Sequence, residues 1–512
     1  MSEDIIDRSA SNKRIAKNTL LLYIRMILVI GVSLYTSRVV LETLGVIDYG
    51  IYSVVGGVVA MFSLFSGALS SAISRFITFE LGRGNMQKLQ KIFSSSIIIQ
   101  LILSLIIVAL IESVGVWFLN HKMNIEPSRM VAANWVLHLS ALTLVVNMIS
   151  VPYNALIIAH EKISAFAYIS IAESLAKLLI AYMVVYSTSP DKLILYSMLM
   201  LGVALVVRIA YGVYSNRTFK ECRFSFAVDR QIISEMFSFA GWNFIGVSSG
   251  ILRDQGGNIL LNLVAGSTVN AARAIAGQVG VAMAGFTSNF MTAINPQITK
   301  SYAAGDYKYM FSLIFTASRL SYYMLLLISL PLLFTTGYLL SIWLNVVPQY
   351  CVEFVQLVLL FGLCESISNP LITAMLATGD IRRYQLVVGG LQLLNLPISY
   401  IVLKLGCPPS SVLIVAISLS IVCLFARLIM LRSMIQLPCM KFIKDVILKT
   451  IYVTILCIPA PYIISSYVDQ NNLIGALTII IASALSCAIV IYVTGCTQQE
   501  RSIIKKRLHI NR

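Results

Sequence analysis

Charged residues are scarce in this chain. Of its 512 residues, only 12% are Asp, Glu, Lys or Arg, while 58% are hydrophobic. A water-soluble domain carries about 25% charged residues, which it needs to cover one core with a polar surface. The composition therefore excludes a soluble protein and indicates a membrane protein.

The sequence also lacks the motifs of common enzyme sites. It contains no GxxxxGKS/T, no GxGxxG after a strand and no HExxH, and none of its nine cysteines forms a CxxC pair. These motifs hold nucleotide phosphates or metal ions. The predicted external loops are short, whereas a membrane-embedded glycan polymerase would be expected to carry a large one. We therefore expect no enzyme, no cofactor and no metal site.

Apolar stretches long enough to cross a bilayer recur along the whole chain. A helix of roughly 20 residues spans the hydrocarbon layer. We predict an all-α polytopic membrane protein of about 14 transmembrane helices, called spans 1 to 14, at 17–39, 48–71, 92–118, 131–157, 164–187, 193–215, 236–263, 269–294, 312–336, 350–376, 383–404, 410–432, 447–468 and 472–495.

The distribution of Lys and Arg predicts the orientation. With the N-terminus inside, 27 of them lie in cytoplasmic segments and 5 in outer loops. This bias places both termini in the cytoplasm. It also explains the net charge of +16, since basic loops lie beside anionic headgroups. We therefore expect the lipid bilayer, and no nucleic acid, as the partner of these charges.

Two segments that lie 221 positions apart are related in sequence. AISRFITFELGRGN at 72–85 aligns without gaps with AINPQITKSYAAGD at 293–306, with five identities. The same offset aligns Gly45 with Gly266, and an offset of 218 aligns Pro152 with Pro370. A duplicated half is typical of alternating-access transporters, whose substrate site lies between the halves. Without a nucleotide motif, H⁺, Na⁺ or the substrate's own gradient would drive transport.

The duplication predicts four segments of the chain. Residues 1–215 form an N-lobe of spans 1 to 6, and residues 236–433 form a C-lobe of spans 7 to 12. The polar interval 216–235 is a cytoplasmic linker between these two six-helix lobes. Residues 434–512 contain two appended helices, spans 13 and 14, and a basic cytoplasmic tail.

With this layout, three motifs carry a resemblance to a known family. They are TSRVVLETLGVIDYGIYSVVGG at 36–57, SRFITFELGRGN after span 2, and INPQITKSYAAGD after span 8. The chain resembles the polysaccharide transporter, or Wzx-type, flippases of the MATE-like MOP exporter superfamily.

The resemblance implies a substrate and a location. Such flippases move an oligosaccharide linked to polyprenyl pyrophosphate across the bacterial cytoplasmic (inner) membrane, for assembly into surface polysaccharide or the O-antigen of lipopolysaccharide. It implies polysaccharide polymerase machinery as a further partner. Two alternatives stay open: a multidrug or other small-molecule exporter, and a lipid II flippase of the same superfamily. Spans 13 and 14 and the internal arginines favour the flippases over the drug exporters.

Cationic side chains inside spans are the candidates for binding a pyrophosphate, because a buried charge is costly unless it is paired or hydrated. Arg25 lies about two turns into span 1, where lining the cavity and reaching back to the headgroups are evenly weighted alternatives. Arg38 lies near the outer end of the same span, where an interfacial position is favoured. Arg253 and Lys177 complete the candidate substrate-binding set.

Carboxylates inside spans are the candidates for ion coupling. Asp254 follows Arg253 and precedes Gly256 and Gly257, which suits a loosened helix whose carbonyls join it in holding H⁺ or Na⁺; a self-neutralising Arg–Asp pair is the alternative. Glu365 has no partner nearby in the sequence, which favours a proton. Glu173 lies four residues before Lys177, and an intrahelical ion pair is the simpler interpretation of these two.

The charge bias makes a topological prediction. Single cysteines introduced into a cysteine-free background at 216–235 and near the C-terminus should resist an impermeant thiol reagent in intact cells. Single cysteines at 120–130 should react with it. External labelling of the 216–235 segment would contradict the orientation.

Overall fold

The computed structural model describes residues 2–123, 125–222, 229–265, 267–344, 347–468, 472–498 and 500–502. Over these ranges the chain is almost entirely helical and forms no β-strand. This confirms the predicted all-α class. Helices suit a membrane span because they satisfy every backbone hydrogen bond within the segment.

The helices of the first part of the chain are α1 Ser2–Arg83, α2 Met86–Leu110, α3 Val116–Lys122, α4 Met130–Ala159, α5 Ile163–Val185 and α6 Lys192–Thr218. Those of the second part are α7 Arg230–Ala265, α8 Ser267–Ala303, α9 Tyr307–Trp343, α10 Cys351–Thr378, α11 Arg382–Leu393, α12 Asn395–Lys404 and α13 Ser411–Ile435. The last four are α14 Cys439–Phe442, α15 Lys449–Cys457, α16 Pro459–Tyr467 and α17 Leu473–Val490.

Among the described residues, eleven helical stretches are long and apolar enough to cross a membrane. Predicted spans 2, 7 and 8 are not among them, although they are helical and lie in the second half of α1, in α7 and in α8. The latter two helices carry Gly, Ser, Asn and charged residues within the length of a span. The chain is a multi-pass membrane protein, and the count of fourteen spans stays a prediction.

Predicted spans 1 and 2 belong to α1, which breaks at Gly45. That residue has φ 76° and ψ 170°, a conformation that glycine adopts readily because it has no Cβ. Its predicted counterpart Gly266 lies outside the described residues.

The related segments 72–85 and 293–306 end in the same local structure. Gly84 and Gly305 have φ angles of 73° and 75°. The next residues, Asn85 and Asp306, each cap the following helix by accepting a hydrogen bond from the amide three residues on. A left-handed glycine followed by a side-chain cap ends one helix and starts the next.

The block aligned at an offset of 218 is also similar in structure. Pro152 and Pro370 lie buried inside α4 and α10. The turns that follow these helices contain Glu161, with φ 58°, and Gly379, with φ 84°, and these two residues are again 218 positions apart. The aligned positions therefore share backbone conformation as well as sequence.

The chain packs into two compact units. One comprises residues 1–247 and 292–305, and the other comprises 248–291 and 306–512. This division runs through α7 and α8, whereas the predicted lobes meet at the 216–235 linker; the lobe boundaries stay a prediction.

The appended helices belong to the second unit and pack on α9. Gly495, just after α17, lies against the ring of Tyr323, which an added Cβ would approach to 3.0 Å. Arg319 donates to Glu500 at 2.6 Å, and both side chains are largely buried. The hydroxyls of Tyr322 and Thr454 are 2.7 Å apart. Polar contacts between apolar helices stabilise such packing.

In the first unit, the two related segments contact each other through equivalent residues. A Cβ at Gly82 would lie 2.8 Å from the Lys300 Cα and 3.0 Å from the Ala303 Cβ. Gly82 and Ala303 are 221 positions apart, so they are counterparts in the duplication. Beside them the rings of Phe79 and Tyr302 lie 6.1 Å apart. Only glycine leaves room for this approach.

This contact predicts that Gly82→Ala lowers the melting temperature of the purified protein in detergent. The new methyl group must displace the backbone of α8, an overpacking that costs about 1–3 kcal/mol. The matched control is Gly67→Ala in the same helix, where an added Cβ meets nothing within 4 Å. It should leave stability unchanged or raise it. Equal effects of the two substitutions would contradict the close approach.

Candidate functional site

The first unit holds a charged centre between α1 and α5. Phe166, Ser170, Glu173 and Lys177 follow one another at spacings of four, three and four residues, which places them on one face of α5. Arg25 of α1 donates from Nε to the Ser170 hydroxyl. Its guanidinium carbon lies 4.8 Å from the centroid of the Phe166 ring. The predicted residues Arg25, Glu173 and Lys177 thus come together.

The ion pair predicted within α5 is present. Lys177 Nζ lies 2.6 Å from Glu173 Oε1, and both side chains are between three and four tenths exposed. Glu173 also lies within electrostatic range of Arg25. One carboxylate therefore faces two cations in this centre.

Contacts along α1 fix the position of Arg25. Asn18 donates to the Glu161 carbonyl at 3.4 Å, and the hydroxyls of Tyr35 and Tyr182 lie 2.6 Å apart. With the bond from Arg25 to Ser170, these contacts join residues 143, 145 and 147 positions apart. The offset barely changes, so α1 runs parallel to α5 and holds Arg25 half-buried against it.

Arg38 does not join this centre. It is 75% exposed and bonds Glu42, one turn further along α1, at 3.0 Å. This geometry fits the interfacial interpretation of Arg38.

The second unit holds another charged centre, which starts at Arg253 of α7. Its guanidinium donates to both carboxylate oxygens of Asp254, at 2.9 and 3.2 Å. The Arg253 side chain is 16% exposed and lies 4.9 Å from the centroid of the Phe361 ring, while the Asp254 side chain is 54% exposed. The two adjacent side chains form an ion pair, which is compatible with both sequence interpretations; the coupling role of Asp254 stays a prediction.

Glu365 has partners that the local sequence does not show. It accepts a hydrogen bond from the Ser420 hydroxyl of α13. Arg253 and Arg427 are within electrostatic range. Glu365 has no local partner, as the sequence indicates, but it has partners on helices far away in the sequence; its coupling role stays a prediction.

Arg427 is the charged residue that sequence reasoning missed. The 27 Lys and Arg residues predicted on the cytoplasmic side include Arg427, yet this residue is 1% exposed inside α13. It interacts with Tyr384, while its Nε and Nη1 have no hydrogen-bond partner among the described residues. The sequence does contain a signal for this burial. Arg427 lies five residues before the end of predicted span 12, which is too deep in the span for a loop residue.

One arginine and two aspartates form an ion cluster at predicted outer loops. Arg129 lies 2.5 Å from Asp48 and 2.9 Å from Asp191. Asp191 also caps α6, accepting from the amides of Leu193 and Ile194. Burial alone would raise the pKa of Asp191, but the hydrogen bonds from Arg129 and these amides lower it. Arg129 thus ties the break in α1 to the start of α6.

A cavity of about 220 Å³ lies between α1 and α6 in the first unit. Its polar lining is Thr36, Ser37, Tyr49, Tyr52 and Tyr196, and Val40 and Gly56 complete it. None of these residues is charged. The cavity lies on both sides of the break at Gly45, apart from the Arg25 centre. Sequence reasoning did not single it out.

Comparison with known proteins gives the family. The sequence model described as "Polysaccharide biosynthesis protein" matches residues 15–302, more than half of the chain. The chain belongs to this polysaccharide biosynthesis family. No curated protein matches it.

Solved structures give the fold of this family member. A MATE protein in the bent conformation superposes with a TM-score of 0.72 at 11% identity, covering 83% of this chain and 96% of its own. An outward-facing multidrug resistance MATE transporter of the MOP superfamily gives 0.71 at 13% identity, covering 83% and 95%. A MOP superfamily transporter from Pyrococcus furiosus, described by a binding pocket of reverse polarity, gives 0.71 at 12% identity, covering 83% and 96%. The fold is that of a MATE-like transporter.

Proposed function

We propose that this protein is a flippase that moves an oligosaccharide linked to polyprenyl pyrophosphate across the bacterial cytoplasmic membrane by alternating access. The observation that carries the proposal is the excess of cations in both charged centres of a polysaccharide biosynthesis family member. In the first unit, Arg25 and Lys177 share Glu173. A bound anion would offset the uncompensated charge.

The centre in the second unit has the same excess. Arg273 of α8 is half-buried and lies within electrostatic range of Asp254 and Arg253. Among the described residues, three cations, Arg253, Arg273 and Arg427, therefore stand against two carboxylates, Asp254 and Glu365. An unpaired buried cation is strongly destabilising, and guanidinium groups bind phosphate oxygens through strong charge-assisted hydrogen bonds. A pyrophosphate meets both requirements.

The excess of cations in both centres favours an anionic lipid over the cationic drugs of multidrug exporters. It attracts the anionic lipid and repels cationic drugs, and specificity follows from both effects. The Pyrococcus furiosus MOP superfamily transporter is consistent with this, since the reverse polarity of its binding pocket is described as suggesting a different function. We extend the proposal to cytoplasmic termini, to H⁺ or Na⁺ as the coupling ion, and to polysaccharide polymerase machinery as the acceptor of the product.

The first test concerns Arg25. Arg25→Ala should abolish surface-polysaccharide assembly in a strain that depends on this protein, whereas Arg25→Lys should retain part of it, because phosphate binding needs the charge more than the fork of the guanidinium. Polymer is measured by immunoblot at matched protein levels.

Arg38→Ala is the matched control on the same helix. Its side chain is exposed and bonds only the nearby Glu42 in the described part of the chain, so polymer should stay near the wild-type level. Full polymer from a normally expressed Arg25→Ala variant would contradict the role of Arg25.

The second test concerns Asp254. If this carboxylate binds the coupling ion, Asp254→Asn should leave lipid binding intact while slowing gradient-driven transport in proteoliposomes. If Asp254 only neutralises Arg253, removing both charges should restore transport, since no buried arginine is then left without its counter-charge. Normal, gradient-dependent transport by Arg253→Gln/Asp254→Asn would therefore contradict the coupling role.

A further inference from the structure

We propose that the cavity between α1 and α6 is a subsite for one neutral sugar ring of the transported glycan. This inference rests on the proposed function, since it assigns part of the cargo to a site distinct from the charged centres. In this subsite the sugar contacts five side chains: Tyr49, Tyr52, Tyr196, Thr36 and Ser37.

The size of the cavity limits its occupant. Its volume of about 220 Å³ is below the roughly 300–1,000 Å³ of pockets that enclose drug-sized ligands. It suits a single ring better than a whole drug. One ring is also the repeating element of an oligosaccharide, so the rest of the glycan would extend from the open side of the cavity.

The chemistry of the lining excludes the other parts of the cargo. Among the described lining residues none is cationic, so these residues offer a pyrophosphate no charge-assisted hydrogen bond. Five of the seven described lining residues carry hydroxyl groups, which do not suit a polyprenyl tail. These seven residues include no carboxylate, so a hard metal ion is not favoured either. A neutral, hydroxylated ligand remains.

The aromatic residues provide faces for a sugar ring. Tyr49 and Tyr52 are three residues apart on α1, and the rings of Tyr52 and Tyr196 meet edge to face with their centroids 5.0 Å apart. Tyr196 is buried in a hydrophobic cluster with Val39, Val40 and Ile180. A tyrosine presents an apolar face together with a polar hydroxyl, as a sugar ring with its C–H faces and hydroxyl groups requires.

The hydroxyl groups of α1 are prepared to accept hydrogen bonds. Thr36 Oγ1 donates to the Val32 carbonyl at 2.7 Å, and Ser37 Oγ donates to the Ser33 carbonyl at 3.0 Å. Because each hydroxyl has one donor and two acceptor lone pairs, these bonds fix the oxygens while leaving lone pairs for sugar hydroxyls.

The ion cluster of Arg129 holds the walls of the cavity together. Asp48 immediately precedes Tyr49, and Asp191 caps the start of α6, five residues before Tyr196. Arg129 bonds both carboxylates at 2.5 to 2.9 Å. The two helices that carry the tyrosines are therefore fixed to the same guanidinium, which gives the subsite a preformed shape.

Gly56 offers a direct way to fill the cavity. It lines the cavity, and an added Cβ would meet no heavy atom within 4 Å. Gly56→Leu should therefore occupy the space of the sugar ring without displacing a neighbour. Ser37→Ala is the milder variant, which removes one acceptor. Gly31→Leu, on the same helix and outside the lining, is the control because its Cβ also meets open space.

The experiment compares two lipids. Full-length protein in nanodiscs is titrated with a short-chain polyprenyl pyrophosphate carrying one N-acetylglucosamine and with the same lipid pyrophosphate without sugar. Binding is measured by microscale thermophoresis. We expect the sugar to raise wild-type affinity about tenfold, the effect of one or two hydrogen bonds and a ring contact. Gly56→Leu should abolish this gain in affinity, and Ser37→Ala should reduce it. Neither variant should change the affinity for the bare lipid. The Gly31→Leu control should bind both lipids as the wild type does.

Three results would overturn the proposal in distinguishable ways. Equal wild-type affinity for both lipids overturns the subsite and leaves the proposed function intact. A Gly56→Leu variant that loses affinity for both lipids equally also overturns the subsite, because the cavity would then not be selective for sugar. Failure of the wild type to bind the bare lipid pyrophosphate overturns the proposed function, and the subsite with it.

Discussion

The cost of placing polar groups in hydrocarbon is the constraint on which the rest of this structure depends. It requires the backbone to be helical and every intramembrane charge to have a partner. Lys177 is paired with Glu173, and Arg253 is paired with Asp254. Arg25 has a serine hydroxyl and an aromatic ring as its partners, and Arg319 has Glu500. Arg427 is only partly satisfied by its described neighbours, and such a residue has most to gain from an anionic ligand.

The same constraint separates two kinds of site along the chain. Charged centres lie where cations outnumber carboxylates among the described residues, and the tyrosine-lined cavity lies where the described lining carries hydroxyl groups and no charge. A substrate with an anionic linkage and a neutral glycan presents the same two chemistries. The proposed function and the proposed sugar subsite therefore rest on different observations, although they describe one molecule.

Local sequence predicted what depends on neighbouring residues. Apolar runs gave the helices, spacing of four gave the Glu173–Lys177 pair, and adjacency gave the Arg253–Asp254 pair. The alignment of the two related segments paired Gly84 with Gly305, and these two glycines share their φ angle. Local sequence could not predict contacts between residues that are far apart in the chain. The hydrogen bond from Ser420 to Glu365 joins residues 55 positions apart. The hydrogen bond from Arg25 to Ser170 joins residues 145 positions apart. The burial of Arg427 depends on residues far away in the sequence, such as Tyr384, so its place near the end of an apolar run did not predict it.

The contact of Gly82 with Ala303 has a consequence for how the two related segments can vary. The two positions are aligned in sequence, yet they carry different residues at the point where the segments touch. Alanine at position 303 already places one methyl group in this contact, and a Cβ at position 82 would lie 3.0 Å from it. A close-packed contact accommodates added volume only where volume is removed. Substitutions at these two positions are therefore coupled, and neither segment can gain a side chain there independently of the other.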